Sequence, residues 1–146
     1  MKFILRPCEL ADAAAISRLN SEEMGYSHPV AETEKTLEAL LRDDTQLVIV
    51  AVSENIVIGY IHAADYRLLY ATPSKNILGI AVHSHYRNKG IGSALLAEVE
   101  RWAIDSGCSS VRLASGVERE SAHNFYKKRG YIFIKQQLNF KKILKS

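Results

Sequence analysis

The chain has 146 residues, of which 47% are hydrophobic and 24% charged, and its net charge is +3 at pH 7. These values are typical of one globular domain with a proper core, and no apolar run approaches the ~20 residues that cross a bilayer. The N-terminal apolar stretch is too short for a secretory signal, and the basic runs at 127–129 and 141–145 lack interleaved aromatic residues. We therefore expect a single cytoplasmic domain over residues 1–146, with neither a membrane nor a nucleic-acid partner.

The two cysteines predict no covalent or metal-bound site. Cys8 and Cys108 are far apart in sequence and lack C-x-x-C spacing. Two reduced, packed thiols are the expected state, and no disulfide or metal site is predicted.

Apolar periodicity and turn residues predict three strands and two helices in the first part of the chain. In order, we expect a strand at 2–6, helices at 9–23 and about 30–42, and strands at 46–53 and 55–63. A tight turn around Glu54 and Asn55 joins the last two strands, which predicts a β-hairpin.

The second part of the chain predicts an alternation of strands and helices. We expect a buried strand at 77–82, a helix at 90–105 capped by Gly107, a strand at 110–114, a further helix, and closing strands at 131–134 and 137–140. Leu95, Leu96, Val99 and Trp102 mark the inward face of the 90–105 helix, and Ser115 and Glu118 have the spacing of a capping box for the next one. The resulting order is βααβββαβαββ, an α/β fold with a mixed sheet.

The segment between the strand at 77–82 and the following helix has the composition of an anion site. It reads Arg87-Asn88-Lys89-Gly90-Ile91-Gly92. The first N–H groups of a helix point outward and carry the positive end of its dipole, and glycines let a phosphate approach the main chain closely. A di- or triphosphate is therefore the expected ligand.

Spacing distinguishes among the known phosphate loops. No glycine is followed by Lys-Ser or Lys-Thr at the Walker spacing, and Leu95 stands where a dinucleotide loop needs its third glycine. The pattern R-x-x-G-x-G resembles the acetyl-CoA loop of the GCN5-related N-acetyltransferases (the GNAT family). A later block, with Ala122, Phe125, Tyr126, Gly130 and Tyr131 as A-x-x-F-Y-x-x-x-G-[FY], resembles a second motif of the same family.

The resemblance implies the GNAT acyl-CoA N-acyltransferase fold over this element order, with acetyl-CoA as cofactor and CoA as product. It implies that the pantetheine arm lies along Ile80, Ala81 and Val82, and that Tyr126 contacts the cofactor and acts as the general acid for the departing thiolate. The residues implied for the pyrophosphate are Arg87, Asn88, Lys89, Gly90, Ile91, Gly92 and Ser93. Arg119 departs from the family pattern, because members often carry Asn seven residues before the tyrosine.

The acceptor side is less defined by sequence. Glu22, Glu23 and Tyr26 at the end of the first helix are candidates for substrate contact, as are His62, Asp65 and Tyr66 after the hairpin strand. The strand at 77–82 contains no carboxylate, so the sequence does not identify the general base.

The leading interpretation is an acetyl-CoA-dependent N-acetyltransferase whose amine acceptor attacks directly in a ternary complex. Acceptor candidates are a small polyamine or aminoglycoside-like amine, a protein N-terminus or a lysine, and a short domain fits small amines best. The alternative is a non-catalytic CoA-binding sensor or partner-binding module. The closing strands at 131–140 are suited to pair across a homodimer.

Overall fold

The computed structural model describes residues 2–145. The chain forms two compact units, residues 1–114 and residues 115–146. The elements of the first unit are β1 (Ile4–Pro7), α1 (Ala13–Met24), α2 (Val30–Leu41), β2 (Gln46–Ser53), β3 (Ile56–Tyr66), β4 (Ser74–Val82), α3 (Ile91–Asp105) and β5 (Val111–Leu113), with short 3₁₀ turns at Leu10–Asp12 and Ser84–Tyr86. The second unit contains α4 (Glu120–Lys128).

The five strands of the first unit form one mixed sheet in the order β1-β2-β3-β4-β5. All neighbours are antiparallel except β4 and β5, which are parallel and are joined by the α3 crossover. The predicted hairpin is confirmed, because Glu54 and Asn55 both take positive φ values, 48° and 64°, between β2 and β3. Two successive left-handed residues match the twist of a two-residue hairpin turn.

Helices cover both faces of this sheet. Tyr60 of β3 packs in one cluster with Ile16 and Leu19 of α1 and Leu37 of α2. A Cβ on the neighbouring Gly59 would instead meet the Ile91 side chain of α3 at 3.5 Å. Because successive strand residues point to opposite faces, α1 and α2 cover one face and α3 covers the other.

The inward face of α3 is as predicted, except at Trp102. Leu95, Leu96 and Val99 are at most 1% exposed, whereas Trp102 is half-buried beneath the ammonium group of Lys75. Gly107 follows the helix with φ 76°, and the N–H of Cys108 donates to the carbonyl of Ala103 at 2.8 Å. This left-handed glycine ends α3 as predicted.

β4 is paired on both edges at its start and on one edge at its end. β5 pairs with β4 only from Lys75 to Ile77, whereas β3 pairs with β4 as far as Val82. From residue 78 onward, therefore, the main chain of β4 has no strand on its second edge among the described residues.

The structure corrects several predicted boundaries. β4 begins at Ser74, three residues earlier than predicted, and α1 begins at Ala13, after a 3₁₀ turn at Leu10–Asp12. The capping box at Ser115 and Glu118 is wrong, because α4 begins at Glu120 with Arg119 as its N-cap.

The predicted closing strands at 131–134 and 137–140 are also wrong. The described residues 131–145 contain no strand or helix. Their apolar side chains remain largely exposed, with Ile132, Phe133 and Phe140 at 79%, 69% and 90%. A strand needs a paired edge as well as a run of apolar and aromatic residues, and the sequence pattern alone does not supply that partner. No helix within the described residues is long and apolar enough to span a membrane.

Candidate active site

The loop between β4 and α3 presents main-chain donors at a helix start. Gly90 is the N-cap of α3 with φ 85°, and Asn88 also has a positive φ of 62°. The N–H of Ala94 donates to the carbonyl of Gly90 at 3.0 Å. The N–H groups of Ile91 and Gly92 precede this bond and have no acceptor within the helix. They point toward the loop at the positive end of the α3 dipole, which is a site for an anion.

The space beside Gly90 is open. A Cβ at this position would meet no atom within 4 Å, and no side chain caps the first turn of α3. The positive φ explains the glycine, and the uncapped helix start leaves its donors available to a ligand. These features fit the pyrophosphate of an acyl-CoA.

Arg87 of the loop is held by a residue of α1. Its Nη2 lies 2.6 Å from Oε1 of Glu23, and Oε2 of the same carboxylate accepts the N–H of Ser84 at 3.2 Å. The Glu23 side chain is 8% exposed, whereas that of Arg87 is 54% exposed. Glu22, Glu23 and His83 bring a ligand atom each within 4.8 Å of one another. The structure thus places Glu22 and Glu23, two of the candidates for substrate contact, beside the loop between β4 and α3.

The end of β4 offers a second set of main-chain groups. Ile80 and Val82 are half-buried, and they lie on the part of the strand that β5 does not pair. An extended ligand with amide groups can bind such an open edge as a short extra strand. The pantetheine arm has this chemistry, so the residues present fit an acyl-CoA here as well.

Tyr126 lies on α4 in the second unit. It is half-buried, and its ring centroid lies 5.4 Å from that of Phe125 and 6.0 Å from that of Tyr131. Burial raises the pKa of Tyr126 above its usual value of 10.0, and the charge of Arg119 opposes that shift. The phenol is therefore protonated at neutral pH and able to donate a proton.

The other acceptor candidates lie in different places. Tyr26 is 60% exposed. Tyr66 pairs with Ser74 at the far end of β3, roughly 25 Å along the strand from the Val82 register, with the Arg112 guanidinium 4.4 Å from its ring centre. Asp65 pairs with Lys75.

His62 is half-buried and bonded to Gln46. Sequence reasoning missed Tyr60 and Asn20, which share a buried hydrogen bond across 40 residues. Strand alternation indicates that Tyr60 points inward, but it gives no sign of its partner.

Neither cysteine is arranged as a nucleophile. Burial raises the pKa of Cys8 to about 12, with a smaller contribution from the nearby carboxylate of Asp12. Its thiol therefore stays protonated at neutral pH, and only a thiolate attacks an acyl group effectively. Cys108 follows the far end of α3.

The known proteins that this chain resembles include acetyltransferases. Residues 13–131 match the model of the acetyltransferase (GNAT) family. YdhI of Bacillus subtilis (strain 168), an uncharacterized protein, is 38% identical over 66 residues, which are 45% of this chain and 41% of that protein. The aminoglycoside N(6')-acetyltransferase type 1 of Acinetobacter genomosp. 13 is 26% identical over 108 residues, covering 74% of this chain and 70% of that enzyme.

A solved structure of AAC(6')-Iy in complex with the bisubstrate analog CoA-S-monomethyl-acetylneamine has the same fold. It superposes with a TM-score of 0.86 at 18% identity, over 98% of this chain and 99% of that one. The family match covers most of the chain, including the phosphate loop, the open strand edge and the tyrosine helix. The chain therefore belongs to the GNAT family of acetyltransferases and is an acyltransferase.

Proposed function

We propose that this protein is an acetyl-CoA-dependent N-acetyltransferase that acetylates a primary amine of a small molecule by direct attack in a ternary complex. The observation that carries the proposal is the arrangement of β4 and α3. A strand edge that β5 leaves unpaired is followed, after the loop at 83–90, by a helix start that no side chain caps and by open space beside Gly90. The proposal treats residues 1–146 as one catalytic domain.

Different segments of the chain are proposed to bind different parts of acetyl-CoA. The main chain from Asn88 to Ser93 holds the pyrophosphate, with Arg87 and Lys89 adding positive charge, and Ile80, Ala81 and Val82 hold the pantetheine arm. Acetyl-CoA supplies the activated acetyl group as a thioester. A thioester held along one strand edge presents its carbonyl in one orientation, which lowers the entropic cost of the attack.

Tyr126 supplies the proton that the reaction needs at the leaving group. As the new C–N bond forms, the C–S bond breaks and its electron pair stays on sulfur. The half-buried phenol, whose pKa is raised by desolvation, donates its proton to that thiolate. With Cys8 protonated, no thiol of the core competes as a covalent nucleophile, which supports direct attack.

The acceptor class is inferred from relatives and from charge. Two relatives are named as aminoglycoside N(6')-acetyltransferases, and these names imply amine acceptors of small size. Glu22, Glu23 and Tyr26 are proposed to attract the cationic amine beside the loop, and Tyr66 stays a prediction from sequence. A cytoplasmic location also stays a prediction.

The test of this proposal is thiol release from acetyl-CoA against a panel of polyamines, aminoglycosides, amino acids and short peptides, with CoA binding measured by calorimetry. Amine-dependent release together with CoA binding is the expected result. Binding without release from any amine would instead support the sensor alternative. Absence of CoA binding would overturn the assignment of the loop.

Tyr126→Phe separates catalysis from binding. The variant should retain CoA affinity and lose about 10²-fold in kcat, because only the proton donor is removed. Tyr70→Phe is the matched control, since Tyr70 is 86% exposed and lies outside both motifs. Equal kcat in the two variants would remove Tyr126 from the mechanism.

A homodimer belongs to the same proposal. Residues 131–140 carry several apolar side chains that remain exposed, among them Ile132, Phe133 and Phe140. Pairing with a second copy would cover them. Light scattering on the whole protein and on an Ile132→Ser, Phe140→Ser variant tests this, with a dimer expected only for the former.

A further inference from the structure

A small cavity lies between α1, α2 and the β2–β3 hairpin. Its volume is about 160 Å³, and its polar wall consists of Asn20, His28, Thr33, Thr36, Tyr60 and His62. The remaining lining is aliphatic. At roughly 30 Å³ for each water-sized group, it has room for about five heavy atoms. A slim aminoalkyl arm fits this volume, whereas a whole sugar ring does not.

Two residues of the cavity wall lie on β3 opposite the open part of β4. His62 pairs with Gly79, and Tyr60 pairs with Ala81, just where β5 has ceased to pair. A Cβ on Gly79 would lie 3.3 Å from the Tyr60 hydroxyl oxygen. Tyr60 and His62 therefore line the cavity one strand away from the edge that is proposed to carry the thioester, about 5 Å across the sheet.

His62 is oriented by a chain of hydrogen bonds that leads away from the cavity. Its Nε2 lies 2.7 Å from Oε1 of Gln46, the Gln46 amide donates to Oγ1 of Thr45 at 3.4 Å, and that hydroxyl donates to Oδ1 of Asp43 at 2.7 Å. Because the Gln46 oxygen only accepts, Nε2 carries the proton. Nδ1 then keeps its lone pair, and it has no hydrogen-bond partner within residues 2–145.

The cavity itself carries no negative charge. The residues that line it include neither Asp nor Glu within the described chain, and the titratable groups facing His62 are Tyr60 and His28, with Asp43 at the end of the chain of hydrogen bonds. Burial lowers the pKa of His62 below 6.5 and raises that of Tyr60 to about 12. Both side chains are therefore neutral at pH 7. An ammonium group in such surroundings loses its proton more readily than in water.

From this geometry we infer that the cavity binds the aminoalkyl arm of the acceptor and that His62 is the general base. Nδ1 of His62 takes the proton that the ammonium loses, and the freed nitrogen lone pair forms the C–N bond as the C–S bond breaks. The new amide nitrogen then loses its second proton to water, and the phenolate that Tyr126 becomes on protonating the thiolate takes a proton back from water. Gln46 is a positioning residue, since it fixes the tautomer of His62. The inference rests on the proposed N-acetyltransferase function and names the base that the sequence did not identify.

The first test compares His62→Gln with His85→Gln in the amine-dependent thiol-release assay. His62→Gln should lose about 10²-fold in kcat/KM for the amine, with CoA affinity unchanged, and its pH–rate profile should lack the acidic limb. His85→Gln removes an exposed imidazole outside the cavity and should retain both rate and profile. An unchanged rate and acidic limb in His62→Gln would overturn the inference while leaving the N-acetyltransferase function intact.

Gln46 provides the second test. Gln46→Leu cannot accept from Nε2 and should lose activity, whereas Gln46→Glu still accepts and should restore it. The added carboxylate favours the imidazolium, so the acidic limb should move to higher pH in Gln46→Glu. Equal profiles in the two variants would contradict a positioning role, because loss of packing alone does not move a titration.

The tautomer can be measured without turnover. Nitrogen chemical shifts of the imidazole should show His62 with its proton on Nε2 and with a midpoint below that of an exposed histidine. A proton on Nδ1 would overturn the inference whatever the kinetics. If the wild-type protein bound CoA but acetylated no amine, the proposed function would fail first, and this inference with it.

Discussion

The two ends of β4 belong to one strand but differ in what surrounds them. At the first end, Lys75 is only 4% exposed, pairs with Asp65, and has its ammonium 3.7 Å from the ring centre of Trp102. At the other end, β5 no longer pairs, and Arg87 keeps a half-exposed guanidinium beside Glu23. One end buries its charge among protein groups, and the other leaves donors and charge within reach of solvent.

In the proposed site, a single strand therefore serves as both anchor and binding edge. The first end, residues 74–77, is fixed by two neighbouring strands and a buried ion pair. The second end, residues 78–82, then needs no strand on its free edge to stay extended. Stability and ligand binding should therefore respond to changes at different ends.

The largest effect is expected at the first end. Lys75→Met keeps the contact with Trp102 but leaves the carboxylate of Asp65 without its partner. Removing one member of a buried pair costs up to 3–5 kcal/mol, and about 2 kcal/mol is expected here because the Asp65 side chain is 23% exposed. Urea denaturation measures the loss, and the folded variant should bind CoA with wild-type affinity.

Two controls sharpen this result. Adding Asp65→Asn to Lys75→Met removes the unpaired charge and should recover part of the stability. Arg42→Gln breaks a pair whose side chains are 78% and 55% exposed, and it should cost no more than about 0.5 kcal/mol. A fall in CoA affinity in folded Lys75→Met would show that the two ends of β4 do not act independently.

The sequence predicted the local structure at the second end of β4 better than that at the first end. Glycines and an arginine at fixed spacing are local signals, and they predicted the loop and the start of α3. The polar residues Ser74, Lys75 and Asn76 lie before the predicted strand but form the first part of β4. Lys75 is buried there only because Asp65 and Trp102 fold against it.

Contacts between residues far apart in the sequence also account for the other differences between the predicted and the observed structure. Glu23 and Arg87 are 64 residues apart, and spacing along the chain cannot reveal their pairing. The apolar and aromatic residues at 131–140 predict two strands, yet a pattern of side chains does not say whether a neighbouring edge exists. The cavity around His62 arises from four elements and likewise has no local signature.

The next largest effect is expected for substitutions of the two glycines that flank α3. Gly90 and Gly107 have φ values of 85° and 76°, and a Cβ at either meets no atom within 4 Å. Alanine should therefore cost about 1 kcal/mol of stability at both positions, through backbone strain alone. Only Gly90→Ala should also weaken CoA binding, by about tenfold or roughly 1.4 kcal/mol, because it displaces the main chain that is proposed to bind the phosphate.

Gly107→Ala is thus the matched control, since it adds equal strain at the end of α3 that binds no phosphate. Chemical denaturation and calorimetry on both variants separate strain from binding. If the two lost CoA affinity equally, the loop at Gly90 would have no special part in binding.

A smaller effect is expected for the loop arginine. Arg87→Gln should weaken CoA binding by about fivefold, or roughly 1 kcal/mol, since the exposed guanidinium adds to the main-chain donors rather than replacing them. The difference from wild type should shrink at high salt, because exposed charges are screened. Arg101→Gln, on the exposed face of α3, should bind CoA as the wild type does at every salt concentration.

The smallest effect is expected in the pH dependence of stability near residues 78–82 of β4. Burial lowers the pKa of His62, which pairs with Gly79, below its usual value of 6.5. Below pH 6.5 the unfolded chain therefore binds a proton at this residue more readily than the folded protein does. As a result, the free energy of unfolding decreases as the pH is lowered. His62→Gln should reduce that slope, whereas His85→Gln should not. Hydrogen exchange in wild type should show the acid-induced loss at residues 79–82 before residues 74–77, and the reverse order would contradict the division of β4 into an anchor and a binding edge.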